Sequence, residues 1–217
     1  MSTLIDQYFV KHLELSQEDA YKLHMEYFRT YGLAIEGLVR HHKIDPLEYN
    51  RQVDDALPLE SIIFPDPELR KLLEDMDRTK VKLWLFTNAY VTHGKRVVRL
   101  LGIEDLFEGM TYCDYAEPVM LCKPHPKMFA KAMSQAGVTD YDKCYFVGKI
   151  HVSQRHVSKL TPADDSALNC AKAEELGWHT THLIEEGDPL PAKPFCKYQA
   201  RHLTDLRTFF PQFFKTA

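Results

Sequence analysis

Between Asp66 and Leu183 helical and strand patterns take turns along the chain. Few folds other than a parallel sheet flanked by helices accept that order. Asp66 followed by Pro67 starts a helix that runs through Leu72-Leu73 to about Met76, an acidic cap with proline at the first helical position. The apolar run 81–87 follows as a strand. Val91 to Leu101 reads as a helix closed by Gly102, and Met110-Thr111-Tyr112 as a short strand. Pro126 opens a helix through Ala136 that Gly137 ends, and Cys144-Tyr145-Phe146-Val147 is a strand of the fully buried type. Ala167 to Leu176 is a helix ended by Gly177, Trp178 to Leu183 a strand, and Leu203 to Phe210 a final helix. Glycine suits each of these helix ends because it takes up the left-handed conformation without a Cβ penalty.

The first sixty residues break from this alternation. Leu4, Ile5, Tyr8, Phe9 and Leu13 fall at helical spacing. Ser16 with Asp19 three places on caps a second helix to about Thr30, and Ile35, Leu38 and Val39 mark a third. Asp45-Pro46-Leu47-Glu48 opens a fourth. The chain of 217 residues therefore reads as a helical bundle over 1–60 and an α/β core over 61–217. A net charge of −4 gives no electrostatic reason to expect nucleic-acid or membrane binding. Five scattered cysteines without a C-x-x-C pair suggest reduced thiols and neither a disulfide framework nor a zinc site. The segment Met1-Ser2-Thr3-Leu4-Ile5-Asp6 lacks the pattern of a secretory signal, and no apolar run approaches the roughly 20 residues of a membrane helix. A cytoplasmic location with nuclear access is the expectation.

Three short stretches carry chemistry. The strand Val81-Lys82-Leu83-Trp84-Leu85-Phe86 ends in Thr87-Asn88-Ala89. A small hydroxyl and an amide after a buried strand are poor packing material, but they suit an anion, as do the backbone N–H groups that follow. Cys122-Lys123-Pro124-His125-Pro126 sets a cation in a loop stiffened by proline, and Asp164-Asp165-Ser166 offers the oxygen donors a hard cation prefers. Taken singly, Thr87 is an ordinary strand end, Lys123 a solvated charge and Asp164-Asp165 a helix cap. Taken in order, they form most of a phosphate-transfer site.

This set resembles the haloacid dehalogenase-like phosphatase superfamily. Tyr31-Gly32-Leu33-Ala34-Ile35-Glu36-Gly37-Leu38, Leu85-Phe86-Thr87-Asn88-Ala89, Lys123-Pro124-His125-Pro126 and Asp164-Asp165-Ser166-Ala167-Leu168-Asn169 together are similar to the fungal pyrimidine 5'-nucleotidase group. The resemblance implies a Rossmann-like core with a helical cap, here 1–60. It implies hydrolysis of nucleoside monophosphates such as UMP or CMP through an aspartyl-phosphate, with magnesium offsetting charge. By the same resemblance Thr87 and Asn88 bind the phosphoryl group, and Lys123 steadies the charge on nucleophile and phosphate. Asp164 with Asp165 holds Mg2+, and Asn169 orients their loop.

Two departures stand against the resemblance. The family's first motif, a strand ending in Asp-x-Asp before the cap, is not found in this sequence. Asp75-Met76-Asp77 matches by letter, yet the residues before it are helical, and too few residues separate it from strand 81–87 for a parallel crossover. It reads as a helix end and turn. Very low turnover of 1–217, or a phosphate-binding protein without catalysis, is the corresponding expectation. Without a central strand, neighbouring backbone groups left unpaired cost about 1–3 kcal/mol each, against a net stability of about 5–15 kcal/mol. The polypeptide 1–217 is thus expected to be unstable or prone to aggregate by itself, and a cooperative melt like that of a full-length relative would refute this. The second departure is 148–163, which interrupts the join between Phe146-Val147 and Asp164-Asp165. We read it as a translated intron, with a surface loop as the alternative; a mature transcript carrying the whole segment refutes the intron.

Overall fold

The computed structural model describes residues 2–149, 165–184, 187–188, 190–191 and 193–216. In chain order the elements are α1 (Ser2–Leu13), α2 (Gln17–Tyr31), α3 (Ala34–His42), α4 (Pro46–Gln52), α5 (Pro67–Glu74), β1 (Trp84–Phe86), α6 (Val91–Leu100) and β2 (Gly109–Thr111). Then follow α7 (Pro126–Ala136), β3 (Tyr145–Lys149), α8 (Asp165–Glu175), β4 (His179–Leu183), β5 (Tyr198–Ala200) and α9 (Leu206–Phe209). The chain divides into two compact units, Met1–Pro65 with Leu85–Asp105 and Met110–Lys123, and Asp66–Trp84 with Leu106–Gly109 and Pro124–Ala217.

Local chemistry sets the helix ends of the first unit. The Ser16 hydroxyl accepts from the Asp19 N–H at 3.1 Å, and the Asp45 carboxylate accepts from the Leu47 N–H at 2.9 Å with Pro46 at the first turn. Helix α2 closes on Gly32, whose φ of 82° is a left-handed conformation. Phe9, Ile35, Leu38 and Val53 are fully buried at the centre of the bundle, each contributing roughly 1.5–3 kcal/mol by leaving water. A Cβ at Gly37 would stand 2.2 Å from the Tyr27 ring, so only glycine lets α3 approach α2 here. A buried Asp6–His24 hydrogen bond of 2.7 Å links α1 to α2. Arg96 on α6 bonds Glu60 and the carbonyls of Asp55 and Leu57, which ties α6 to the segment after α4.

In the second unit β3, β4 and β5 form a parallel sheet in that order. The register sets Tyr145 beside His179 and His182 between Gly148 and Gln199. Helix α8 packs on β3 and β4, and Phe129 of α7 meets Trp178 edge-on at 5.3 Å. Leu72, Leu206, Phe210 and Phe214 form a separate buried cluster. Asp75 is the C-terminal cap of α5 and pairs with Lys71 and, at 2.6 Å, with Arg207. Asp77 lies in the following turn, its carboxylate accepting from Thr79. The Asp75-Met76-Asp77 stretch is thus a helix end and turn, as its sequence context indicates.

Strands β1 and β2 pair with each other, and the described strands fall into these two sheets. The expected strand 81–87 is regular only from Trp84 to Phe86, although Glu108 N–H still reaches the Leu83 carbonyl and Thr87 N–H the Thr111 carbonyl, both at 3.0 Å. The expected helix 203–210 divides into a 3-10 turn, Leu203–Asp205, and α9. Strand β5 is an addition to what the sequence pattern predicts. Past Lys149, the unusual segment 148–163 lies outside the described residues. Among the described residues no helix is long and apolar enough to cross a membrane.

Candidate functional site

Strand β1 delivers Thr87 and Asn88 to the start of a turn. The Thr87 backbone stays on the ladder with Thr111, which fixes its direction. Its hydroxyl oxygen accepts from the Ala89 N–H at 3.0 Å, so the hydroxyl hydrogen remains to be donated elsewhere. Asn88 reaches across the same unit to Lys123. Its Oδ1 accepts from the Lys123 N–H at 2.7 Å, and its Nδ2 donates to the Lys123 carbonyl at 2.9 Å. The Lys123 ammonium in turn donates to the Phe86 carbonyl at 2.7 Å and lies 4.4 Å from the centre of the Phe86 ring. Lys123 is only 8% exposed, a rare degree of burial for lysine. Asn88 and Lys123 are therefore joined by hydrogen bonds at the end of β1, beside Thr87.

Tyr90, two residues past Asn88, stacks on Tyr115 with ring centres 5.2 Å apart. The Tyr115 hydroxyl bonds Asp54, a carboxyl that burial pushes up to about 6 against the opposing effect of that bond. Cys122, next to Lys123, lies 3.9 Å from a Glu36 carboxylate oxygen. Burial first, and then that carboxylate, push its thiol up to about 12, so it is a packing group and no nucleophile.

The acidic stretch belongs to the second unit. Asp164 lies outside the described residues; Asp165 is the first residue of α8. Asn169 follows one turn later, 5% exposed. Its Oδ1 is buried and has no hydrogen-bond partner among the described residues. An amide oxygen one turn from an acidic pair in the sequence is a hard donor of the kind magnesium takes; the side chains of Asp164 and Asp165 lie outside the described residues. Among the described residues no three acidic, histidine or cysteine side chains form a metal cluster.

The bracket that Asn88 makes around Lys123 is not legible in the sequence, because the partners stand 35 residues apart. The participation of the Phe86 carbonyl is a main-chain effect without a residue signature. Asp54 with Tyr115 has no motif at all; the one hint in the sequence is an acidic residue amid the apolar positions that end the bundle.

The class of protein to which this fold belongs is shown by comparison with known proteins. Residues 4–148 match the family model of haloacid dehalogenase-like hydrolases. The chain belongs to that family. It is 36% identical over 195 residues to phosphate metabolism protein 8 of Saccharomyces cerevisiae, covering 86% of this chain and 56% of the relative, so it spans just over half that protein's length. Among solved structures, a HAD phosphatase from Thermococcus onnurineus superposes with a TM-score of 0.59 at 17% identity, over 96% of this chain and 87% of that one. A dehalogenase captured with an intermediate complex gives 0.55 at 17% identity, over 98% and 92%. These likenesses concern the fold.

Proposed function

We propose that this chain carries the phosphate-gripping part of a magnesium-dependent phosphohydrolase that acts on nucleoside monophosphates such as UMP or CMP, releasing nucleoside and inorganic phosphate. The observation that carries the reading is Lys123, a buried cation fixed through its backbone by Asn88 and through its ammonium at the end of β1. A phosphoryl dianion is a partner that a cation held at a strand end can recognise.

In this reading the Thr87 hydroxyl donates to a phosphoryl oxygen, and the second N–H of the Asn88 carboxamide is available to do the same. Lys123 neutralises charge that grows on the phosphoryl oxygens. Asp164 and Asp165 would hold magnesium, with Asn169 orienting their loop, and the ion would supply charge neutralisation. The name of the yeast relative, which refers to phosphate metabolism, supports a phosphorylated substrate. The nucleotide itself rests on the sequence resemblance.

A second reading, a phosphate-binding protein without turnover, is favoured by one observation. Asp75 and Asp77, the letter match to the nucleophile motif, are committed to a helix cap, ion pairs and a turn. Assaying phosphate release from UMP with magnesium, alongside equilibrium binding of UMP, separates the two. Turnover that Lys123→Ala abolishes establishes the hydrolase; binding without turnover establishes the second reading; neither binding nor turnover defeats both.

A further inference from the structure

A closed ring of contacts runs from the helical bundle to the residue before Lys123. Glu36, in the first turn of α3, is 8% exposed, and a carboxylate is almost never buried so far unless it is paired. Its Oε1 accepts from Arg40 one turn on, through Nη2 at 2.6 Å and Nε at 3.1 Å. Its Oε2 lies 3.9 Å from the Cys122 sulfur, and the same sulfur lies 3.5 Å from the Tyr31 carbonyl oxygen. Tyr31 is the last residue of α2, where carbonyls have no acceptor duty within the helix and take donors from outside it. The thiol stays protonated, pushed up to about 12 by burial and by Glu36, so it is the donor to both oxygens. The Arg40 guanidinium closes the ring over the Tyr31 side chain, 5.1 Å from the ring centre. Gly32, with a φ of 82°, turns the chain between α2 and α3, which brings the Tyr31 carbonyl and the Glu36 carboxylate to one thiol.

We propose that Glu36, clamped by Arg40, is a positioning residue for the phosphate grip: through Cys122 it holds the loop that carries Lys123. The inference rests on the reading of Lys123 as a phosphate ligand. Consecutive Cα atoms stand about 3.8 Å apart, so a shift of Cys122 passes directly to Lys123. Asn88 fixes the Lys123 backbone from the end of β1. Glu36 and the Tyr31 carbonyl fix the preceding residue from the bundle. Held from two elements, the ammonium keeps the precise placement that recognition of a small anion requires. The carboxylate is the group this duty needs. It offers one oxygen to Arg40 and the other to Cys122, whereas a carboxamide has a single acceptor oxygen. Glutamine at position 36 therefore keeps the Arg40 bonds or the Cys122 contact and loses the other.

The test is a double-mutant cycle: UMP with magnesium is titrated into the wild type, Glu36→Gln, Lys123→Ala and the double variant, and amide hydrogen exchange is followed in the proteins without UMP. Glu36→Gln is expected to weaken UMP binding about fivefold when Lys123 is present and to change nothing when it is alanine, because the effect passes through that ammonium. Exchange at the Lys123 amide, which Asn88 holds, is expected to quicken about tenfold in Glu36→Gln, with α1 unchanged. Equal weakening in both backgrounds, unchanged UMP affinity, or faster exchange throughout α1 to α3 would assign Glu36 to the bundle alone and overturn the proposal. Wild-type affinity in Lys123→Ala would instead defeat the phosphate reading, and this inference with it. The exchange measurement needs no UMP, so it decides the matter even where Lys123→Ala binds too weakly to titrate: unchanged exchange at Lys123 overturns the proposal.

Discussion

The Asn88 carboxamide brackets Lys123, accepting from its N–H at 2.7 Å and donating to its carbonyl at 2.9 Å. One side chain thus fixes both backbone groups of the residue whose ammonium caps the Phe86 carbonyl. Asn88→Ala leaves a part-buried donor and acceptor unpaired, at about 1–3 kcal/mol each, and frees the Lys123 loop. UMP affinity by calorimetry is expected to fall about tenfold, with the melting temperature lowered as well. A lowered melting temperature with unchanged affinity would show that the bracket is structural only.

Gly109 opens β2 beneath the Trp84 indole, where an added Cβ would stand 2.2 Å from a ring carbon. The ring belongs to β1 and cannot withdraw without disturbing that strand. Gly109→Ala is expected to destabilise by roughly 1–3 kcal/mol and to shift tryptophan fluorescence, because Trp84 must move. A variant with wild-type stability and emission would contradict the packing described.

Asp54 gives a pH dependence of unusual sign. Burial raises its carboxyl from 3.8 to about 6, and the neighbouring Asp55 adds to the rise. The folded state therefore takes up a proton before the unfolded state does. Its contribution to stability is fully present below the unfolded pKa and is lost as the pH rises through about 6. Asp54→Asn, which keeps an acceptor for Tyr115, is expected to stabilise by on the order of 2 kcal/mol at pH 7. Near pH 3.5 denaturant titrations should find no difference. Equal effects at both values would contradict the assignment.

His182 acts in the opposite direction. It is fully buried on β4, neither ring nitrogen has a partner among the described residues, and burial holds its pKa below the ordinary histidine range. The unfolded state thus binds the proton first. Stability from this group is complete above about pH 6.5 and is lost as the pH falls below it. His182→Leu is expected to flatten the decline in melting temperature between pH 7.5 and 5.5; an unchanged decline would assign acid sensitivity elsewhere.

Punctuation makes much of the fold legible. Asp45-Pro46 and Asp66-Pro67 start α4 and α5, and Gly102, Gly137 and Gly177 take the positive φ that their helix ends require. Strand β5 escapes because Tyr198-Gln199-Ala200 is too short to show an alternation and follows a proline-rich stretch. Regularity in β1 begins only at Trp84, a limit set by its ladder partner and not by its own apolar run. Thr87 and Lys123 are legible as residues, since a hydroxyl and a cation at those places have little packing value. The bonds that hold Lys123 beside the end of β1 come from Asn88 and a Phe86 carbonyl, and long-range or main-chain contacts leave no spacing to read. The family match ends at residue 148, where the off-pattern segment begins.

The central claim is that Thr87, Asn88 and Lys123 grip a phosphate monoester. Calorimetric titration of UMP into the chain with magnesium, compared with Lys123→Ala under the same conditions, tests it most directly. Removing a charge-assisted contact worth about 1.5–3 kcal/mol is expected to weaken binding about 10- to 100-fold. Equal affinities for the two proteins, or no heat from either, would contradict it.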